Sequence, residues 1–211
     1  RVSIRARVCA DAIEVAGADR VVTIDLHAPQ IQGFFRIPVD DLYALPVLGK
    51  AIKAKKLQNL VVVSPDTGFV KQARRYATLL QCNLAIGDKE RINHDENAEI
   101  LQIIGDVKGK TAMIVDDFAI SAGTLVEIAN TLIEKGAGSV YAAITHGVFA
   151  PGTKERIDDS PITKLLVTDS IETHPTPMSD KVEIVSVAAY LGEAIRRIHN
   201  RESISVLFSN A

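Results

Sequence analysis

The sequence has little of three features that would each indicate a particular class of protein: cysteine, net charge and long apolar stretches. Its two cysteines, Cys9 and Cys82, have the spacing of neither a metal site nor a disulfide framework, so we expect a reducing, cytoplasmic environment. The net charge of −2 gives no reason to expect binding to nucleic acid or to an anionic membrane. No apolar run approaches the length of a membrane span, and residues 1–17 lack the apolar region of a signal peptide.

What the sequence does have is a regular alternation of short apolar runs and amphipathic stretches. Of its 211 residues, 47 % are hydrophobic and 24 % are charged, which is ordinary for a globular protein. The apolar runs predict strands at 21–24, 60–63, 84–86, 112–115, 140–144, 165–167 and 182–185. The amphipathic stretches predict helices at 2–15, 43–56, 69–81, 124–135 and 187–199. The alternation predicts an α/β fold with a mainly parallel sheet flanked by helices.

The most informative stretch is 111–136. Here a predicted strand ends in Asp116 and Asp117, and a loop of small residues leads into a predicted helix. The free amides and the dipole at the beginning of a helix favour an anion, and Ser121 and Thr124 add hydroxyl donors. Two carboxylates beside a phosphate site suit a sugar phosphate, with the acids binding the ribose hydroxyls. The alternative is an αβ unit in which the Asp pair merely caps a turn.

Two further strand ends carry residues suited to a metal or a phosphate. Asp25 and His27 follow the predicted strand 21–24, where a ligand crevice opens in many α/β folds. A neutral imidazole there can bind a metal or contact a phosphate, although a satisfied structural histidine is the alternative. Asp66 follows the predicted strand 60–63 and can either cap the next helix or hold a hydrated Mg²⁺.

A fourth stretch, 89–97, is charged and poor in apolar side chains. It predicts a mobile loop that begins with two basic residues, Lys89 and Arg91. The alternative is an ordinary solvated surface loop, which is the usual interpretation of a short run of charges.

Four motifs together resemble the family of phosphoribosyl pyrophosphate synthetases, also called ribose-phosphate pyrophosphokinases. They are DLHAPQIQGFF at 25–35, SPDTG at 64–68, VDDFAISAGTL at 115–125 and EIVSVAAYLGEAIRRIHNRESISVLF at 183–208. They occur in the family's order, the resemblance covers essentially the whole chain, and it implies a type I phosphoribosyltransferase-like fold. Three positions depart from the family pattern, because Phe69 and Ala122 replace a glycine and Ile120 replaces an acid.

The resemblance implies a ribose-phosphate diphosphokinase of nucleotide biosynthesis. Such an enzyme transfers the β,γ-diphosphoryl group of ATP to the C1 hydroxyl of ribose 5-phosphate and releases AMP. By resemblance, His27 and Asp66 would bind the Mg²⁺ that accompanies ATP, with His27 also contacting the nucleotide. Asp116 and Asp117 would bind the ribose hydroxyls or a second Mg²⁺.

The resemblance also implies which residues handle the phosphates. The 5-phosphate would be held by Ser121, Ala122, Gly123 and Thr124. Lys89 and Arg91 would be catalytic and would stabilise the transition state from a flexible loop that closes over the reacting groups. The implied partners are ATP, ribose 5-phosphate and further copies of the chain in a homo-oligomer.

We predict that the chain divides into three segments. Residues 1–40 would be the remnant of an N-terminal phosphoribosyltransferase-like domain, 41–180 a C-terminal domain of the same kind, and 181–211 a tail packing back toward the first. Because the chain opens within a predicted helix and without Met, we expect it to be N-terminally incomplete. Two alternative functions remain: a catalytically silent paralogue or regulatory subunit, and a phosphoribosyltransferase, which would share the central loop but not the DLHAPQIQGFF motif.

Overall fold

The computed structural model describes residues 4–91, 99–171 and 178–209. Its strands are β1 (Val21–Ile24), β2 (Val39–Leu42), β3 (Leu60–Ser64), β4 (Asn83–Arg91), β5 (Glu99–Ile104), β6 (Thr111–Ala119), β7 (Ser139–Gly147), β8 (Ile162–Thr168) and β9 (Val182–Val185). Its helices are α1 (Arg5–Val15), α2 (Leu45–Ala54), α3 (Val70–Leu80), α4 (Gly123–Glu134), α5 (Thr153–Asp158), α6 (Ala188–His199) and α7 (Ser205–Ser209), with a 3₁₀ helix at Pro29–Phe34. Across the described ranges, no helix combines the length and apolar character needed to cross a bilayer.

Seven strands form one sheet in the order β5-β4-β3-β6-β7-β8-β9. Neighbours pair in parallel except β4 and β5, which are antiparallel. The central strands β3, β6, β7 and β8 consist largely of Val, Ile, Leu and Ala and are almost entirely buried, as expected for a parallel sheet covered on both faces. The predicted α/β fold with a mainly parallel sheet and flanking helices is confirmed.

Alternating side chains of the central strands enter two separate cores. On one face, Ile114 packs with Leu125 of α4 and Ile157 of α5. On the other face, Met113 packs in the cluster that contains Leu48 of α2 and Tyr76 of α3. Because helices cover both faces of the sheet, the carboxyl edge of its parallel strands is the place where polar side chains can gather.

Several predicted boundaries are wrong, and two of them concern candidate site residues. Strand β6 continues through Asp116 and Asp117 to Ala119, because its pairing with β7 extends beyond the apolar run. The apolar pattern could not show this, since the added residues include two acids. Strand β4 likewise continues to Arg91, where Lys89 pairs with Leu101 of β5, so these positions are strand and not loop. The rest of the predicted loop, 92–97, lies outside the described residues.

The beginning and the end of the chain join different sheets. Strands β1 and β2 pair with each other in parallel, from Val21 with Val39 to Ile24 with Leu42, so this small sheet crosses the predicted boundary at residue 40. Strand β9 of the predicted tail pairs with β8 and forms an edge of the large sheet. The division into 1–40, 41–180 and 181–211 stays a prediction.

Candidate active site

The carboxyl end of β6 carries two adjacent carboxylates. Asp117 is buried, and its amide donates to Oδ1 of Asp116 at 2.9 Å. Burial raises the pKa of Asp116 to about 8, with the negative charges of Asp117 and Asp66 adding to the effect. Asp116 therefore lies in the field of two neighbouring acids, an arrangement that a cation or hydroxyl donors would stabilise.

His27 reaches this carboxylate pair from the small sheet. Its Nδ1 lies 2.7 Å from Oδ2 of Asp117, and its ring meets the ring of Phe118 edge-on with centroids 5.1 Å apart. The side chain of His27 remains 73 % exposed. With Nδ1 directed at the carboxylate, the ring can present Nε2 to a ligand.

Asp66 occupies the loop between β3 and α3. Its Oδ1 accepts a hydrogen bond from the amide of Phe69 at 2.9 Å, and its carbonyl accepts one from Ser64 Oγ at 2.8 Å. The predicted capping role is wrong, because the N-cap of α3 is Phe69 and no side chain caps this helix; Asp66 instead closes the turn that precedes it. The charge of Asp66 also acts on Asp116.

The loop between β6 and α4 has the geometry of an anion site. Ala122 adopts a left-handed conformation with φ of 55°, and α4 begins at Gly123. Ser121 and Thr124 are exposed beside this helix beginning, and Ser121 Oγ accepts from the Gly123 amide at 3.4 Å. The free amides of the first helical turn and the two hydroxyls can bind a phosphate here.

The outer side of the same loop is held by the segment that follows β7. The Ile120 carbonyl accepts from the Ala150 amide at 2.7 Å and from Thr153 Oγ1 at 3.3 Å. The Ser121 carbonyl accepts a hydrogen bond from the guanidinium of Arg156. With these carbonyls bound on the outer side, the loop has a fixed conformation before any ligand arrives.

The structure therefore brings together His27, Asp116 and Asp117, with the charge of Asp66 acting on the pair. It places Lys89 and Arg91 at the end of β4 by their backbones alone, so their predicted catalytic role stays a prediction. In the part of the chain that the structure describes, no group of three or more His, Cys, Asp or Glu residues could hold a metal by itself.

Sequence reasoning assigned no role to Thr145 or His146, at the carboxyl end of β7. His146 Nε2 lies 3.0 Å from the Ile24 carbonyl, and Thr145 Oγ1 donates to Oδ2 of Asp25 at 2.6 Å. The sequence pattern could have indicated them, because these two polar residues directly follow the predicted strand 140–144. Asp116 follows the predicted strand 112–115 in the same way.

Two of the departures from the family pattern now have a structural setting. Phe69 adopts φ of −90° and ψ of −1°, a conformation that needs no glycine, and its side chain packs against the core on the α2–α3 face. Ile120 is 52 % exposed, so an apolar side chain borders the proposed phosphate loop. The backbone at position 69 therefore does not require the glycine of the family pattern. At position 120, the acid of the family pattern is replaced by an apolar side chain.

A mainly parallel α/β sheet flanked by helices, with acids and a loop leading into a helix at the carboxyl end of a central strand, is the phosphoribosyltransferase-like fold. A family model described as the phosphoribosyl synthetase-associated domain matches residues 96–209 of the chain. The chain belongs to the ribose-phosphate pyrophosphokinase family.

Individual relatives agree with this assignment. The chain is 49 % identical to the ribose-phosphate pyrophosphokinase of Oceanobacillus iheyensis, covering 99 % of this chain and 65 % of that protein. It is also 49 % identical to that of Bordetella pertussis, covering 100 % and 68 %. The crystal structure of phosphoribosylpyrophosphate synthetase from Mycobacterium smegmatis superposes with a TM-score of 0.87 at 35 % identity, covering 95 % of this chain and 65 % of that one. The chain thus spans about two thirds of the length of these relatives.

Proposed function

We propose that the protein is a ribose-phosphate diphosphokinase, which transfers the β,γ-diphosphoryl group of ATP to the C1 hydroxyl of ribose 5-phosphate and releases AMP. One observation carries the proposal. The His27 imidazole of one motif lies 2.7 Å from the Asp117 carboxylate of another, 90 residues away, and the phosphate loop follows directly. A nucleotide held at His27 and a sugar phosphate held at the loop would therefore share one crevice.

In this function each group has a chemical task. Asp116 and Asp117 accept hydrogen bonds from the ribose hydroxyls, and the loop from Ser121 to Thr124 binds the 5-phosphate through amides and hydroxyls. These contacts orient the C1 hydroxyl toward the diphosphoryl group, since phosphoryl transfer depends mainly on positioning and on neutralising charge. Lys89 and Arg91 add positive charge near the transferred group.

The carboxylate oxygens of Asp66 are ligands of the kind that Mg²⁺ prefers, and the ion keeps several of its waters. Asp66 would hold the ion on the nucleotide side, with the His27 imidazole as a second ligand. The raised pKa of Asp116 reflects mutual repulsion among carboxylates as well as burial, and a divalent cation nearby would relieve that repulsion. When bound, Mg²⁺ neutralises charge on the phosphate oxygens. We further expect a cytoplasmic homo-oligomer, as the resemblance implies.

The test is AMP release by the full-length protein with ATP, Mg²⁺ and ribose 5-phosphate. We expect AMP to form only when all three are present. AMP formation independent of ribose 5-phosphate, or none at all, would overturn the proposal. The second outcome would favour a catalytically silent family member, for which the exposed Ile120 in the phosphate loop is the supporting observation.

A further inference from the structure

Side chains at the carboxyl ends of β1 and β7 link the two sheets. Within the described residues, no strand pairing joins the small sheet of β1 and β2 to the large one. Besides the contact of His27 with Asp117 and a shared apolar core, a polar link is made by three residues, Asp25 beyond β1 and Thr145 and His146 of β7, which we call the β1–β7 latch. Asp25 belongs to the motif that carries His27, and none of the roles assigned above involves the latch.

Asp25 is held tightly in an unusual conformation. Its φ of 45° lies in the left-handed region, which is uncommon for residues other than glycine and costs free energy. Its amide donates to the Leu42 carbonyl at 2.8 Å. Its Oδ2 accepts from Thr145 Oγ1 at 2.6 Å and from the Ala44 amide at 3.1 Å. Donors from both sheets therefore fix the turn through which the chain leaves β1.

His146 completes the latch from the other side. Its Nε2 faces two carbonyls, those of Ile24 at 3.0 Å and Asp25 at 3.3 Å. Since carbonyls only accept, Nε2 carries the proton. Its Nδ1 lies 2.8 Å from Ser170 Oγ, and Ser170 Oγ in turn donates to the Thr145 carbonyl at 3.1 Å. Both ring nitrogens of His146 are therefore within hydrogen-bonding distance of a partner.

The latch lies level with the carboxylate pair. His146 pairs with Phe118 across β6 and β7, so it is next to the strand position that follows Asp117. Asp25 precedes His27 by two residues. One end of the latch therefore lies on the strand that pairs with the strand of Asp117, and the other end lies in the turn that leads to His27.

We propose that Asp25 and His146 are positioning residues that hold His27 at hydrogen-bonding distance from Asp117. In this proposal they act on His27 through the latch. The kinetic consequences of this proposal rest on the proposed function, whereas the distance between His27 and Asp117 does not.

The structural test uses crystal structures of the full-length protein with Asp25→Ala and with His146→Ala. We expect Nδ1 of His27 to move beyond hydrogen-bonding distance of Asp117 in both. Thr145→Val, which removes a single hydroxyl, replaces either variant that fails to fold, and we expect it to shift His27 in the same direction. An unchanged distance of 2.7 Å would overturn the proposal.

The kinetic test relies on rescue by a conservative variant. Asp25→Asn keeps an oxygen that can accept from Thr145 and Ala44, so we expect turnover close to that of the unmodified protein. Asp25→Ala should lower kcat by about tenfold to hundredfold, the range expected for a misplaced reacting group. Ser139→Ala removes a hydroxyl contact at the opposite end of β7 and should change kcat little.

Two kinetic results would contradict the positioning role of the latch. In the first, kcat of Asp25→Asn would be as low as that of Asp25→Ala. In the second, kcat of Ser139→Ala would be as low as that of His146→Ala. If the unmodified full-length protein has no synthetase activity, the proposed function fails, and the crystal structures alone decide whether the latch sets the position of His27.

Discussion

Nδ1 of His27 lies 2.7 Å from Oδ2 of Asp117, although the two residues are 90 positions apart in the chain. The pair joins the small sheet to the central strand of the large one. Its two side chains differ in environment, since that of His27 is 73 % exposed and that of Asp117 is 10 % exposed. The histidine is therefore available to a ligand, while the aspartate orients it.

We expect His27→Ala to weaken ATP binding more than ribose 5-phosphate binding, because the proposed function assigns the imidazole to the nucleotide. Asp117→Ala should weaken both, since its carboxylate contacts His27 and is proposed to bind the sugar. Because His27 is largely exposed, the two residues should couple by only about 0.2–1 kcal/mol in a double-mutant cycle on folding stability. Calorimetric titration of both substrates measures the predicted changes in affinity, with His199→Ala in α6 as the control. Equal losses for both substrates in His27→Ala would argue against the assignment.

Asp116→Ala should reduce the affinity for ribose 5-phosphate more than the affinity for ATP. The lost charge-assisted hydrogen bond is worth about 1.5–3 kcal/mol, a tenfold to hundredfold change in Kd. Titration calorimetry of the full-length protein measures both affinities. Asp106→Ala is the matched control, because Asp106 precedes β6 and the site lies at the opposite end of that strand. If ribose 5-phosphate affinity were unchanged, Asp116 would not face the sugar.

Lys89→Ala should lower kcat far more than it raises the KM of either substrate, because its charge is expected to act on the transition state. Lys108→Ala, at the opposite end of the sheet from the carboxylates, removes the same charge without that effect. Steady-state kinetics with each substrate varied in turn makes the distinction. A raised KM for ATP with unchanged kcat would show that Lys89 only helps to bind ATP and does not stabilise the transition state.

The fold could be predicted because apolar runs determine buried parallel strands directly. Strands β1 and β9 have the predicted bounds, and the predicted helix at 124–135 differs from α4 by one residue at each end. The apolar positions of that helix are buried at Leu125, Ile128, Ala129 and Leu132, whereas Ile133, on the same face, is 41 % exposed. Periodicity assigns a face, but the neighbouring element decides where that face ends.

The site was predicted less completely, for a physical reason. His27, Asp66 and Asp116 stand at strand ends that apolar patterns reveal, so they could be selected one by one. Their mutual distances, and the participation of Thr145 and His146, depend on which strands are neighbours in the sheet. Strand order is a long-range property, and the pattern of a single strand does not contain it.

Alkaline pH should destabilise the fold through Tyr76. Burial raises the pKa of this phenol well above its usual value of 10.0, so the unfolded chain loses the proton first. The contribution is complete below pH 10 and declines as the pH rises, by up to about 1.4 kcal/mol per pH unit. Tyr76→Phe should raise the pH of alkaline unfolding, followed by circular dichroism. Tyr141→Phe, at a half-buried position of β7, should not. Identical midpoints for Tyr76→Phe and the unmodified protein would show that Tyr76 does not control this transition.

The proposed reaction is tested most directly by ³¹P NMR of the products that the full-length protein forms from ATP, Mg²⁺ and ribose 5-phosphate. Transfer of the intact β,γ-diphosphoryl group requires AMP and a C1 diphosphate ester of ribose 5-phosphate, in equal amounts. We expect these two products and no ADP. Formation of ADP, or of AMP together with free pyrophosphate from the start of the reaction, would contradict diphosphoryl transfer to the sugar.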